Sequence, residues 1–152
     1  MPELRKDYVL ERYVIIAKER GERPHKFKQE QAEKKDSHCF FCPGNEHETP
    51  KEKGRKEDGN GWYIRWFDNK FPAVQKTGDP DIKTHNNFFT FSDAIGAHEV
   101  IVESPNHKDH LADLSTEHIA ELLKVYNERI EELRDREGIK YVQVIKNHLP
   151  KA

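Results

Sequence analysis

The pattern of apolar and polar positions predicts four β-strands and one long helix. β-Branched and aromatic residues, which favour strands, crowd four short segments: Tyr13–Ala17, Trp62–Phe67, Glu99–Glu103 and Tyr141–Lys146. Between Ser115 and Gly138 the apolar residues recur at the three- and four-residue steps of one helical face: Ile119, Leu122, Leu123, Tyr126, Ile130 and Leu133. Ser115 is suited to cap the start of this helix and Gly138 to end it.

Two charged segments between these elements are predicted to be loops. They span 26–35 and 51–61, and the second contains three glycines. The elements then follow the order strand, cysteine-containing loop, strand, long loop, strand, helix, strand. This order predicts one α+β domain over 1–152, with a mainly antiparallel sheet and the long helix packed on it.

The charge balance limits the possible partners. The chain has 26 basic and 28 acidic side chains among 152 residues, so no overall field attracts nucleic acid or an anionic membrane, and any phosphate site must be local. No apolar run approaches the roughly 18 residues of a membrane span, and the first residues lack the apolar core of a signal peptide. We therefore expect a cytoplasmic protein without a nucleic-acid or membrane partner.

Both cysteines stand in a single Cys-x-x-Cys motif, Cys39 and Cys42. In a reducing compartment this motif indicates metal or redox chemistry rather than a structural disulfide. A thioredoxin-type redox pair needs a helix directly after its first cysteine, and the following Pro43-Gly44 disfavours such a helix. The motif is therefore predicted to hold a metal ion, and zinc fits two thiolates best.

Zinc needs two further ligands, and the chain has no second Cys-x-x-Cys, so histidines or carboxylates must supply them. His107 follows a predicted strand at a turn, and His110 is its nearest rival. On spacing alone, either histidine is as readily a solvated surface side chain.

Two further segments are candidates for binding a nucleotide. Arg20 and Arg23 lie on a short turn after the first predicted strand, where guanidinium forks suit phosphate oxygens. The segment Trp66–Ala73 ends the second predicted strand and places aromatic residues around Asn69 and Lys70. A solvated basic turn and a buried aromatic core are the simpler alternatives. Walker A, G-x-G-x-x-G and G-x-S-x-G motifs are absent from the sequence, which removes support for kinase, Rossmann and hydrolase functions.

Taken in order, four segments resemble the galactose-1-phosphate uridylyltransferase family of the histidine-triad superfamily. They are Arg12-Tyr13-Val14-Ile15-Ile16 leading to Arg20 and Arg23; Cys39-Phe40-Phe41-Cys42-Pro43-Gly44-Asn45 with Glu48-Thr49-Pro50; Asn69-Lys70-Phe71-Pro72-Ala73; and Gly96-Ala97-His98-Glu99-Val100 leading to Ser104-Pro105-Asn106-His107. The resemblance implies a histidine-triad-like α+β fold, of which 1–152 would be a single N-terminal domain truncated at its C-terminal edge.

The resemblance also implies roles for particular residues. Three match the family's zinc ligands: Cys39, Cys42 and His107. Six match arginines near the substrate phosphate or residues of the nucleotide-binding region: Arg20, Arg23, Phe40, Phe67, Asn69 and Lys70. Asn147 matches an asparagine beside the reacting phosphate.

The implied reaction is uridylyl transfer between UDP-glucose and galactose 1-phosphate, in galactose metabolism, through a uridylyl-histidine intermediate. The family's His-x-His does not occur in the sequence. We therefore expect the nucleophilic histidine beyond Ala152 and the chain alone to be inactive. The family resemblance also implies a homodimer. Two alternatives remain open: a sister enzyme acting on an adenine nucleotide, and a non-catalytic module stabilised by zinc.

Overall fold

The computed structural model describes residues 1–22 and 38–146. These residues form seven strands and one α-helix: β1 (Glu3–Asp7), β2 (Arg12–Ile16), β3 (Glu52–Asp58), β4 (Gly61–Asp68), β5 (Lys83–His85), β6 (Phe89–Asp93), β7 (Glu99–Val102) and α1 (Thr116–Arg134). Short 3-10 helices lie at Lys18–Glu22, Glu46–Glu48 and Leu111–Asp113. The α+β class is confirmed, and so are the strands predicted near residues 13, 62 and 99.

The strands form two antiparallel sheets. The first has the order β2-β1-β6-β5, and Leu4 of β1 lies opposite Ile15 of β2 and Ser92 of β6. The second has the order β3-β4-β7, with Trp66 of the central strand opposite Gly54 on one side and Ile101 on the other. The predicted antiparallel arrangement is thus present twice, as two separate sheets.

Strand β4 is the centre of the core because it is paired along both edges and covered on both faces. Ile64 and Phe67 are almost fully buried, at 0% and 1% exposure, and Trp62 and Trp66 are also buried. Most of the aromatic residues of this segment are therefore core residues. Arg65, on the same strand, is buried as completely as its apolar neighbours.

The prediction of a loop at 51–61 is wrong, because residues 52–58 form β3. This strand has no apolar side chains, but its backbone pairs with β4 along nearly its whole length. Gly54 makes the pairing compact, since a Cβ at this position would overlap the indole ring of Trp66. A polar edge strand of this kind carries no hydrophobic signal for a sequence pattern to reveal.

The predicted helix is confirmed as α1. The Ser115 hydroxyl accepts a hydrogen bond from the His118 N–H at 3.1 Å, which is the expected N-terminal cap. The helix ends at Arg134, before Gly138, which adopts the left-handed conformation at φ 82°.

The buried face of α1 differs in part from the predicted one. Its buried residues are Leu122, Val125, Arg129 and Leu133. Leu123 is 58% exposed, so its predicted place on this face is wrong. Adjacent helical residues lie about 100° apart, and the buried stripe centred on Leu122 therefore excludes its neighbour.

The strand predicted at 141–146 is also wrong. Tyr141 and Ile145 are 77% and 74% exposed, and no strand pairs with this segment in the part of the chain that the structure describes. Aromatic and β-branched side chains favour an extended backbone, but a strand also requires a neighbouring backbone with which to exchange hydrogen bonds.

The chain divides into two compact units, Met1–His107 and Lys108–Ala152. The first unit contains both sheets and the second contains α1. The single-domain organisation and the packing of the helix on a sheet remain predictions. Among the helices that the structure describes, none combines the length and the apolar character needed to cross a bilayer.

Candidate functional site

The described residues bring together a three-ligand cluster of Cys39, Cys42 and His107. Their ligand atoms all lie within 4.8 Å of one another, and Cys42 Sγ lies 3.5 Å from His107 Nδ1. In a tetrahedral zinc site with two thiolates, neighbouring ligand atoms are about 3.5–3.8 Å apart. The cluster therefore has the chemistry and nearly the dimensions of a zinc site. Both cysteines are half-buried and the histidine is exposed.

A tight turn brings the two cysteines together. The Cys42 N–H donates to the Cys39 carbonyl oxygen at 3.3 Å, and the Asn45 side-chain amide donates to the same oxygen at 2.8 Å. Gly44 adopts a φ of 91°, a conformation that disfavours other residues. The Cys-x-x-Cys-Pro-Gly-Asn sequence thus contains the residues that close this turn.

The turn rests on β4 through Arg65. One terminal nitrogen of its guanidinium donates to the carbonyl oxygens of Phe40 and Phe41, at 3.5 and 3.2 Å. The other donates to Thr49 Oγ1 at 3.0 Å and to Glu52 Oε1 at 3.1 Å. Arg65 is 0% exposed. Arg65 was not predicted as a site residue, although a lone arginine in an apolar strand is a signal that the sequence carries.

Glu46 anchors the other end of the turn to the same strand. Its carboxylate accepts hydrogen bonds from the Gly44 N–H at 2.9 Å and from the Trp62 indole N–H at 2.6 Å. The Trp62 hydrogen bond is the main cause that lowers the pKa of Glu46 below its ordinary value, with help from backbone N–H groups and the nearby Arg65. Glu46 is therefore ionised at neutral pH and holds the turn as an anion.

The electrostatic setting of the thiols matters for any ion they bind. Burial raises the pKa of the Cys42 thiol, and the neighbouring Cys39 raises it further. The Cys42 thiol therefore resists ionising unless a cation is present. Metal binding at this cluster would release protons.

A second cluster lies on the loop that follows β4, residues 69–73. The Asn69 side-chain oxygen accepts from the Phe71 N–H at 2.8 Å, and a terminal nitrogen of Arg20 donates to the Phe71 carbonyl oxygen at 3.1 Å. His98 Nδ1 accepts from the Ala73 N–H at 2.9 Å, and its carbonyl oxygen accepts from the Asn69 N–H at 2.8 Å. Arg20 and the Asn69 segment, two separate predictions, therefore meet at one place.

His98 was not predicted as a site residue, although it lies within one of the matching segments. The Ala73 N–H donates to one ring nitrogen of His98, Nδ1, at 2.9 Å. The other ring nitrogen, Nε2, lies 3.0 Å from Asn69 Nδ2. His98 therefore contacts both ends of the 69–73 loop and fixes its shape.

The remaining predicted residues occupy different environments. Phe40 is 49% exposed and makes an edge-to-face contact with His38 at 5.4 Å. Phe67 is 1% exposed and its ring lies 6.1 Å from that of Phe41, so it belongs to the core beneath the cysteine turn. Lys70 is exposed. Arg23 and Asn147 lie outside the described residues.

Comparison with known proteins identifies the family. The model of the galactose-1-phosphate uridyl transferase N-terminal domain matches residues 1–148. An ADP-glucose phosphorylase from Arabidopsis thaliana is 35% identical over 96% of this chain and 43% of its own length. A galactose-1-phosphate uridylyltransferase from Haemophilus influenzae is 30% identical over 96% of this chain and 41% of its own length.

Comparison with a solved structure supports the same family. The crystal structure of an ADP-glucose phosphorylase from Arabidopsis thaliana with bound ADP-glucose matches with a TM-score of 0.55 and 31% identity, over 93% of this chain and 41% of that one. The chain belongs to the galactose-1-phosphate uridyl transferase family. Its relatives are nucleotidyltransferases and phosphorylases, and it spans about two fifths of the length of the curated relatives that it matches.

Proposed function

We propose that this chain forms the nucleotide-binding part of an enzyme that transfers a uridylyl group between UDP-glucose and galactose 1-phosphate in galactose metabolism. The observation that carries this proposal is the 3.1 Å hydrogen bond from Arg20 to the Phe71 carbonyl oxygen. It joins the predicted phosphate-binding turn to the predicted nucleotide-binding loop. The uridylyltransferase from Haemophilus influenzae, at 30% identity, supports the choice of reaction.

The proposed binding roles follow the surroundings of each side chain. Arg20 lies beside the substrate phosphates, where a guanidinium stabilises charge on nonbridging oxygens. Asn69 and the exposed Lys70 contact the ribose and phosphate. Phe40 offers an exposed ring to the base, whereas Phe67 supports this region from the core. Arg23 acts with Arg20 near the phosphates.

Zinc is the proposed ion for the Cys39, Cys42 and His107 cluster, because two thiolates and an imidazole form a donor set that zinc prefers. Bound zinc would supply a structural cross-link between the cysteine turn and the segment after β7.

The proposed chemistry needs a nucleophilic histidine, which the family resemblance does not assign to any residue of this chain, with Asn147 beside the reacting phosphate. The histidine would attack the α-phosphorus, glucose 1-phosphate would leave, and galactose 1-phosphate would then accept the uridylyl group. The residues of this chain bind and orient the nucleotide in this scheme. We propose that the enzyme is a homodimer.

A second candidate function is supported by the comparison with ADP-glucose phosphorylase. This relative is 35% identical over 155 residues, and the structural match carries bound ADP-glucose. In this candidate the same residues bind an adenine nucleotide sugar. The two candidates differ in the base, while the phosphate and ribose contacts are shared.

Binding of UDP-glucose and of ADP-glucose to the zinc-loaded 152-residue chain distinguishes them. We would follow the backbone amide signals of residues 69–73 by NMR during each titration, with Arg20→Gln as the test variant. Arg12→Gln is the matched control, because the Arg12 guanidinium pairs with Asp7 at 3.0 Å and has no proposed role in binding the nucleotide.

Tighter binding of UDP-glucose that weakens in Arg20→Gln but not in Arg12→Gln supports the uridylyl-transfer proposal. Tighter binding of ADP-glucose than of UDP-glucose would instead support the phosphorylase candidate. Failure of both nucleotides to bind a folded, zinc-loaded chain rejects a nucleotide site in these residues and leaves the zinc-stabilised module as the explanation.

A further inference from the structure

Arg65 is a charged side chain in a place where charge is costly. It lies on the central strand β4, is 0% exposed and is the largest of the fully buried side chains. Removing a guanidinium from water is unfavourable unless hydrogen-bond acceptors and a counter-charge replace the lost solvent. The identity of its partners therefore indicates what this residue is for.

Those partners divide into two groups. On one side Glu52 supplies the counter-charge, with Oε1 at 3.1 Å, and Thr49 supplies a hydroxyl acceptor at 3.0 Å. The rings of Trp62 and Phe67 each lie 5.0 Å from the guanidinium carbon and form aromatic walls. These contacts hold the guanidinium in one position.

The other side of the guanidinium faces the cysteine turn. Its acceptors there are the carbonyl oxygens of Phe40 and Phe41, the two residues between the cysteines. The Phe41 carbonyl belongs to the same peptide unit as the Cys42 N–H, which donates to the Cys39 carbonyl at 3.3 Å. Arg65 therefore fixes the peptide plane on which the turn's own hydrogen bond depends.

The neighbouring Arg55 shows what an arginine in this sheet does without such contacts. It lies opposite Arg65 in the β3–β4 register and donates to the same Glu52 carboxylate at 2.7 Å. Its side chain is 40% exposed. Both arginines thus pair with Glu52, and Arg65 in addition donates to two carbonyl oxygens of the cysteine turn.

We propose that Arg65 is the positioning residue of the metal centre: from the core it holds the Cys-x-x-Cys turn in the shape that brings both thiols within reach of one ion. This proposal rests on the proposed zinc site. It adds a residue outside the ligand set, 23 positions beyond the second cysteine, whose hydrogen bonds to the turn require no metal.

To test this role, we would measure the zinc affinity of the 152-residue chain by competition with a chromophoric chelator. Cobalt(II) absorption reports the ligand geometry separately. The variants are Arg65→Gln, which removes the charge and most donors, and Arg65→Lys, which keeps the charge but loses the fork. Arg55→Gln is the matched control, and far-UV circular dichroism of each metal-free variant reports folding.

We expect zinc to bind Arg65→Gln about 10- to 100-fold more weakly than the wild-type chain, the range typical for residues that orient metal ligands. Arg65→Lys should recover part of this loss, and Arg55→Gln should bind zinc like the wild type. The cobalt spectrum should change in Arg65→Gln alone. A folded Arg65→Gln with unchanged zinc affinity and cobalt spectrum would overturn the proposal.

If Arg65→Gln does not fold, amide hydrogen exchange in the wild-type chain decides the question. After removal of metal by a chelator, a positioned turn should still protect the Cys42 N–H, and exchange at the rate of an unstructured peptide would reject the positioning role. Failure of the zinc site itself looks different, because Cys39→Ser would then leave the zinc content of the chain unchanged.

Discussion

Cys42 Sγ and His107 Nδ1 lie 3.5 Å apart, although 65 positions separate the two residues in the chain. The contact joins the cysteine turn to the segment that follows β7. Because one ion bound by both residues would cross-link these segments, metal binding should stabilise the first compact unit as well as fill the site.

The histidine ligand can be tested by substitution. His107→Ala should lower zinc affinity by at least about tenfold and remove most of the rise in Tm that zinc produces, because it deletes one of three ligands in the described cluster. His110→Ala is the control, because His110 was the rival ligand and is not one of the three residues of the described cluster. If the two variants bound zinc with equal affinity, His107 would not be a ligand of the ion.

Close packing of Gly54 against Trp66 predicts a stability effect. Gly54→Ala should destabilise the chain by about 1–3 kcal/mol, because a Cβ there overlaps the indole ring and forces the second sheet to shift. Gly59→Ala is the matched control, since an added Cβ at Gly59 meets no atom within 4 Å. Urea unfolding of both variants measures the difference, and equal midpoints would show that the ring moves without cost.

The acidic residue Glu132 predicts a pH dependence of α1. A hydrogen bond from Arg129 is the largest cause that lowers the pKa of its carboxyl from 4.5 to about 2, and a hydrogen bond from Arg136 is the next. A carboxyl whose pKa is lower in the folded chain adds stability above its unfolded pKa and loses it as the pH falls towards the folded one. The contribution should therefore be complete above about pH 4.5 and absent below about pH 2.

Glu132→Gln should lower the stability of the chain at pH 7 by less than about 1 kcal/mol, because the carboxylate is 53% exposed and its ion pairs are screened by water. The difference from the wild type should close as the pH falls from 4.5 towards 2. Glu131→Gln controls for the loss of one negative charge from the same helix. A gap that stays constant down to pH 2 would contradict the assigned ion pairs.

The sequence revealed those parts of the fold that carry an apolar pattern. β4 and α1 were predictable because burial selects their side chains at regular spacing. Strand β3 was not, since backbone pairing and the Gly54–Trp66 contact stabilise it without apolar residues of its own. The segment 141–146 shows the reverse case, in which suitable side chains lack a partner strand among the described residues.

The candidate site divides in the same way. The spacing of Cys39 and Cys42 indicated the metal turn. His107 was a candidate from its place at a turn and was preferred to His110 on the family resemblance, and its proximity to both thiols supports this choice. Arg65 remained hidden because an arginine normally indicates surface. Its burial depends on partners 13 to 25 positions away in the sequence, which only the folded chain brings together.

The 69–73 loop gives the last prediction, which concerns His98. The variant His98→Phe removes the acceptor of the Ala73 N–H, and leaving such a donor unpaired costs about 1–3 kcal/mol. Amide exchange at Ala73 should therefore accelerate, and the preferred nucleotide sugar should bind about tenfold more weakly because the loop that presents Asn69 and Lys70 loses its shape. His85→Phe on β5 is the control for an added aromatic ring. Faster exchange at Ala73 with unchanged nucleotide affinity would show that His98 shapes the loop but that the loop does not bind the nucleotide.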